Sequence, residues 1–238
     1  MQIKIIKCLQ DNYSYIIIDN NNNACVVDPS ESDPVIKYLE ENKINLKFIL
    51  NTHHHHDHVG GNKELKKKYN AKVLGYINDK ERIPEIDIFL KNKEIWNTDS
   101  FKFQIFHIPG HTSGHICYYF KNEKFLFTGD TLFSLGCGRI FEGTYEQMFS
   151  SLQLFKSFPK DTKIFCGHEY TLKNSEFCKK YDPKNKKLDN RILEIKNVLS
   201  KGLPTIPTTI EDELDCNIFL RSGDLETFSK LRDLKDNF

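Results

Sequence analysis

Between Thr52 and His58 the chain reads Thr-His-His-His-His-Asp-His, so five of its nine histidines and one aspartate fall within seven residues. Imidazole nitrogens and a carboxylate oxygen are donors that suit zinc, iron or manganese. The run follows an apolar stretch at residues 47–50 and precedes Val59-Gly60-Gly61. That is the setting of a strand-to-helix turn inside a fold, whereas a purification tag sits at a terminus. In such a turn His53, His55, Asp57 and His58, at positions i, i+2, i+4 and i+5, can point at two adjacent ions.

Three more candidate donors lie further along. His111 follows Ile108-Pro109-Gly110, Asp130 follows Phe127-Thr128-Gly129, and His168 follows Phe165-Cys166-Gly167. Each comes just past an apolar strand and just after a glycine, which lets the backbone turn sharply and brings the next side chain over a sheet rim. Four strand ends therefore offer seven donors of suitable type.

The elements that position these donors are legible in outline. Strands are expected at 1–6, 13–18 and 24–27, closed by Asp28-Pro29-Ser30, then at 47–50, 72–76, 101–108, 115–120, 125–128 and 163–166. Apolar spacing predicts helices at 34–43, 61–69 and 145–158. The lysines of the second helix read as its solvated face. After about Glu169 strand signals cease and helices are expected at 172–180, 188–199 and 225–234, with 204–207 an extended connector. Sheets covered by helices, followed by a helical domain, are the expected organisation.

Composition narrows the function classes. The chain has 238 residues, 39% hydrophobic and 28% charged, with 34 Lys and Arg against 33 Asp and Glu. No bulk charge draws in nucleic acid or anionic lipid, so neither partner is expected. No apolar run is long enough for a signal segment or a membrane span, and a cytoplasmic protein is expected. Seven scattered cysteines without a C-x-x-C pair read as reduced core residues.

Thr-His-x-His-x-Asp-His with the later His, Asp and His resembles the metallo-β-lactamase superfamily. The resemblance implies an α/β fold: an αββα sandwich of two mixed β-sheets flanked by helices over 1–169, with a small helical C-terminal domain at 170–238. It implies His53, His55 and His111 on one metal, Asp57, His58 and His168 on a second, and Asp130 bridging them. His54 and His56 then stand outside the ligand set, and Asp28 resembles the buried aspartate that orients a ligand histidine. Two divalent ions per chain follow, zinc first, with iron and manganese also compatible.

Further segments resemble glyoxalase II, the hydroxyacylglutathione hydrolases. They are Asp11-Asn12-Tyr13, Pro109-Gly110-His111-Thr112-Ser113-Gly114-His115, Gly136-Cys137-Gly138-Arg139-Ile140-Phe141, Cys166-Gly167-His168-Glu169-Tyr170-Thr171 and Phe219-Leu220-Arg221, with Leu231-Arg232 through Phe238. The match covers essentially the whole chain. It implies that Arg139, Phe141, Tyr170 and Arg221 contact glutathione, whose two carboxylates suit guanidinium groups. Lys235 is a weaker candidate. Phe141 stands where a tyrosine is expected, Ile218 where proline is usual, and only nine residues, 222–230, precede the terminal segment.

That family implies hydrolysis of S-(2-hydroxyacyl)glutathione, S-D-lactoylglutathione above all, to a 2-hydroxy acid and glutathione, the second step of methylglyoxal detoxification. A hydroxide shared by the two ions would attack the thioester carbonyl, with Asp57 orienting it. A one-iron glutathione persulfide dioxygenase and a non-catalytic metal-binding module are the alternatives, and a monomer is expected. Retention of Asp57, His58 and His168 favours two metals over the dioxygenase. A nuclease of the superfamily would need a basic arm, which the chain lacks, and a β-lactamase an export signal.

Overall fold

A computed structural model describes residues 1–238. The chain divides into two compact units, Met1–His107 with Gly114–Glu123, and Ile108–Ser113 with Lys124–Phe238.

The first unit opens with the expected meander: β1 (Gln2–Cys8), β2 (Asn12–Ile18) and β3 (Asn23–Val27) pair antiparallel, with Ile3 opposite Ile17 and Ile16 opposite Val26. Helix α1 (Ser32–Glu41) then returns the chain so that β4 (Asn45–Leu50) runs parallel to β3. A one-turn helix α2 (His56–Val59) and α3 (Asn62–Tyr69) make the next crossover, to β5 (Lys72–Tyr76), beside which lies β6 (Ile88–Leu90). Parallel neighbours need such crossovers. The sheet, ordered β1-β2-β3-β4-β5-β6, is therefore mixed. Val35 and Leu39 of α1 and Leu65 of α3 join Ile16, Val26, Ile49 and Val73 in one core cluster. Each such side chain stabilises by about 1.5–3 kcal/mol when fully buried.

Strands β7 (Ile95–Asn97), β8 (Lys102–His107) and β9 (Ile116–Phe120) form an antiparallel ribbon in the same unit. It braces the end of β4. The Tyr118 hydroxyl donates to the Asn51 carbonyl at 2.7 Å, the Ile116 N–H donates to the Thr52 carbonyl at 2.9 Å, and Trp96 packs edge-on against Phe48 at 4.8 Å.

In the second unit β10 (Phe125–Gly129) leads to a hairpin of β11 (Leu132–Phe133) and β12 (Gly136–Cys137). Helix α4 (Tyr145–Phe155) carries a capping box between Thr144 and Gln147. Strand β13 (Lys163–Cys166) pairs parallel with β10. Next come α5 (Thr171–Tyr181), α6 (Lys186–Ser200), β14 (Thr208–Thr209) antiparallel to β13, α7 (Ile210–Cys216), α8 (Ile218–Arg221) and α9 (Leu225–Asp236). Phe177 of α5 and Phe219 of α8 stack at 5.7 Å, and Phe228 of α9 meets Phe219 edge-on at 6.2 Å.

Differences from the expected elements have local causes. Helix α4 stops at Phe155, three residues early, because Lys156, Ser157 and Phe158 make turn-type backbone bonds before Pro159. The 204–207 connector leads into β14, α7 and α8, none of them expected. Helix α7 has only seven residues, too few to show a period, although its cap pair Thr209 and Asp212 was readable. All seven cysteines are free and buried, and burial pushes Cys178 up to about 12. No helix is long and apolar enough to cross a membrane.

Candidate metal centre

In the first unit, Val27 of β3 and Leu50 of β4 are register partners in a parallel pair, so both strands end at one rim. Asp28 follows one strand and Thr52-His53 closely follows the other. Asp28 adopts a left-handed backbone, φ 47°, which costs a non-glycine residue energy and is held by its N–H donating to the Leu50 carbonyl at 3.0 Å. The turn aims its carboxylate inward. Asp28 Oδ1 accepts from the Thr52 N–H at 2.7 Å, and Oδ2 accepts from the Thr52 hydroxyl at 2.6 Å and from His58 Nδ1 at 3.1 Å.

These contacts assign two ring tautomers. The Thr52 hydroxyl proton is given to Asp28, so at His53 Nδ1, 3.0 Å away, Thr52 Oγ1 can only accept. His53 and His58 thus both carry the proton on Nδ1 and keep a lone pair on Nε2, the arrangement of a metal-ligating imidazole. His58 Nε2 lies 3.5 Å from Asp57 Oδ2. Two acceptors facing each other at that distance repel unless a proton or a metal ion lies between them. Asn12 fixes Asp57, donating to its carbonyl at 3.1 Å and to Oδ2 at 2.9 Å. The His55 ring stands edge-on to His53 at 4.7 Å.

Asp28, His53 and His58 also bring donor atoms within 4.8 Å of one another. Both Asp28 oxygens are already committed to Thr52 and His58, so that trio is a hydrogen-bonded support rather than an ion site. His54 turns elsewhere, with Nδ1 3.4 Å from the buried Asp79 carboxylate, to which Arg82 also bonds, and His56 is exposed.

The second unit repeats this logic with different parts. Strands β10 and β13 are parallel, Phe127 pairs with Phe165 and Gly129 with Cys166, and the Gly167 N–H donates to the Gly129 carbonyl at 2.9 Å. Their common end places Asp130 beside His168, whose Nε2 lies 3.2 Å from Asp130 Oδ2. His111 Nε2 lies 3.5 Å from the same oxygen, while His111 Nδ1 donates to the Arg139 carbonyl at 2.8 Å. Again an Nε2 lone pair faces a carboxylate oxygen. Gly138 is required here, because a Cβ would stand 1.9 Å from the Asp130 carbonyl oxygen. Both histidines are 5% exposed and Asp130 is 6% exposed, so these donors are largely shielded from water. The donor chemistry of both units fits divalent metal.

Aromatic rings flank the donors of this unit. Tyr170 stacks on His168 at 4.8 Å with an interplanar angle of 6°, and Phe133 meets Tyr170 at 5.3 Å. Phe141, 59% exposed, lies 5.1 Å from the His111 ring. Arg139 pairs with Asp236 at 3.3 Å, and Arg221, at the end of α8, hydrogen-bonds Asp182. Ion pairs open to solvent contribute only about 0–1 kcal/mol.

The model of the metallo-β-lactamase superfamily matches residues 9–168, and that of the hydroxyacylglutathione hydrolase C-terminus matches residues 169–238. A hydroxyacylglutathione hydrolase from Pelagibacter ubique (strain HTCC1062) is 65% identical, covering 100% of this chain and 100% of its own. The chain belongs to the hydroxyacylglutathione hydrolase, or glyoxalase II, family of the metallo-β-lactamase superfamily. The fold is accordingly the expected one of two mixed sheets with helices and a helical C-terminal region. Among solved structures, ETHE1 from Myxococcus xanthus superposes with a TM-score of 0.75 at 23% identity, covering 98% of this chain and 90% of that one. TTHA1623 in a di-iron-bound form gives 0.59 at 24% identity over 71% and 92%.

Sequence reasoning misses several parts of this arrangement. Asn12 lay in a recognised segment, yet nothing local says that it reaches Asp57, 45 residues on. Thr52 opens the histidine run, but its link between Asp28 and His53 appears only when β3 and β4 are paired. His115 shows no role in the sequence alone and is wholly buried, stacked on His53 at 4.5 Å. The sequence points to the Arg139 side chain, whereas it is the Arg139 carbonyl that orients His111.

Proposed function

We propose that the chain hydrolyses S-(2-hydroxyacyl)glutathione thioesters at a centre of two divalent ions. His53, His55 and His111 would hold one ion, Asp57, His58 and His168 the other, with Asp130 available to both. Family membership supports the reaction class. The observation that carries the metal reading is the repeated pairing of an Nε2 lone pair with a carboxylate oxygen, at His58 with Asp57 and at His111 with Asp130. Zinc is the first candidate for such nitrogen and oxygen donors, and iron or manganese also fit.

When bound, the two ions would supply an activated water at neutral pH and polarise the thioester carbonyl. The chain's own groups do the rest. Asp28, Thr52 and the Arg139 carbonyl hold His58, His53 and His111 in their ligating tautomers. Asp57, steadied by Asn12, orients the attacking water. Phe141 and Tyr170 line the approach for the thioester, while Arg139 and Arg221 exchange Asp236 and Asp182 for the glutathione carboxylates. The leaving thiolate has an ordinary pKa of about 8.5, so its departure needs no general acid. Residues 1–169 act as the catalytic domain and 170–238 as a substrate-binding appendage, in a monomeric cytoplasmic protein serving methylglyoxal detoxification.

The test is direct: purified protein is given S-D-lactoylglutathione and, separately, glutathione persulfide under oxygen. Thiol release from the first with no oxygen uptake on the second is expected. Oxygen uptake with one iron per chain would replace this reading with a dioxygenase.

A further inference from the structure

The hairpin β11–β12 separates Asp130 from Gly138, and each of its strands has two residues. A ribbon that short does not hold itself, so its conformation is set by what grips it. The grip comes from helices and segments beyond residue 169. Glu213 of α7 is wholly buried and accepts three hydrogen bonds: the Leu135 N–H at 2.8 Å and Asn217 Nδ2 at 2.8 Å on Oε2, and the Thr208 hydroxyl at 2.7 Å on Oε1. Asn217 Nδ2 also lies 3.0 Å from the Gly136 carbonyl and 3.3 Å from that of Phe133. Asn174 donates to the Ser134 carbonyl at 3.1 Å, and Arg232 to that of Cys137 at 2.9 Å. Leu135, at the tip, adopts φ 57°, a left-handed backbone that persists only when its surroundings over-determine it.

We propose that Glu213 and Asn217 are positioning residues for the metal centre: by locking the hairpin, they fix the backbone of Gly138 and Arg139 against Asp130 and His111. The connection runs through short, named links. The Gly138 N–H donates to the Thr131 carbonyl at 3.1 Å, its Cα lies where no Cβ fits beside the Asp130 carbonyl, and the next carbonyl, that of Arg139, holds His111 Nδ1. A hairpin free to shift carries that carbonyl away and lets the His111 ring turn. Burial pushes the Glu213 carboxyl up to about 7, outweighing the three donors, which favour its charged form. The consequence for ligands rests on the two-metal reading; the clamp on the hairpin does not.

Asn217 permits a clean separation of roles. Its Oδ1 caps α8, accepting from the Phe219 N–H at 3.0 Å, while Nδ2 serves the clamp. Asn217→Ser keeps a capping oxygen and removes the clamp's donor. Glu213→Gln leaves one oxygen where three donors converge on two. Thr208→Val removes the third donor without touching the hairpin, and so reports the effect of destabilisation alone.

Hydrogen exchange is measured on the metal-loaded full chain, together with the half-time of metal loss to a chelator. In Asn217→Ser the amides of residues 133–139 are expected to exchange about tenfold faster while β1–β6 are unchanged, and metal loss to quicken by about tenfold. Glu213→Gln should behave alike, and Thr208→Val like the parent. Hairpin protection equal to the parent's in Asn217→Ser, a uniform acceleration along the chain, or faster hairpin exchange with unchanged metal retention would each overturn the proposal. Should Glu213→Gln fail to fold, Asn217→Ser decides alone. Failure of the two-metal reading shows separately, as a parent protein that does not retain two ions.

Discussion

The two units solve one problem in different ways. In the first, the donors His53, His55, Asp57 and His58 lie within six residues of one strand-to-helix turn, and Asp28 from the neighbouring strand end fixes His58 directly. In the second, His111, Asp130 and His168 come from three separate segments, and the group that fixes His111 is a backbone carbonyl on the loop after a two-stranded hairpin. A donor set concentrated in one turn needs one well-placed carboxylate. A dispersed set depends on the backbone between its members, and here that backbone is gripped by α5, α7 and α9 side chains. The helical tail therefore bears on the second unit's donors more than on those of the first.

Ligand removal should show the largest effect. His168→Ala is expected to lower metal content by one ion per chain and to reduce thioester hydrolysis at least about a thousandfold, because the two ions act as a unit. Metal analysis beside a thiol-release assay checks this, and near-parental activity would remove His168 from the centre.

The next effect is on stability and belongs to the second unit alone. Glu213 has a folded-state pKa of about 7 against an ordinary 4.5. The native state therefore holds the proton more tightly, and the stabilisation is present below about pH 4.5 and lost as pH rises to about 7. The loss is on the order of 3 kcal/mol. Urea unfolding of the parent and of Glu213→Gln at several pH values isolates it, since the parent's stability relative to the variant's should fall as pH rises across that window and stay level outside it. A difference that does not vary with pH would show that Glu213 titrates normally.

Asp28→Asn tests the first unit's support. The amide cannot accept from both Thr52 groups and His58, so metal affinity should fall about 10–100-fold with little change in the exchange of the 132–137 hairpin. Competition with a chelating dye reads it, and a concurrent loosening of the hairpin would erase the distinction drawn between the units. Smallest is Arg221→Ala, expected to raise KM for glutathione thioesters a few-fold, on the order of 1 kcal/mol, with kcat nearly unchanged. An unchanged KM would leave Arg221 as a partner of Asp182 only.

The legibility of the chain follows the same division. The histidine run announced itself because its donors are adjacent, and the strands flanking it are apolar enough to read without structure. His111, Asp130 and His168 were readable through a shared local grammar of apolar strand, glycine and donor. The hairpin, β14, α7 and α8 were not, because elements of two to seven residues carry no period, and their stability comes from Glu213, Asn217 and Arg232 acting across 78 to 95 residues of sequence. Likewise no local pattern says that Asn12 reaches Asp57 or that a carbonyl orients His111; both depend on pairing.

The central proposal is that this hydrolase needs two ions. Titrating metal-free protein with zinc while following S-D-lactoylglutathione hydrolysis tests it most directly. Activity should climb to a plateau at two equivalents per chain; a plateau at one equivalent, or two ions bound without thiol release, would contradict it.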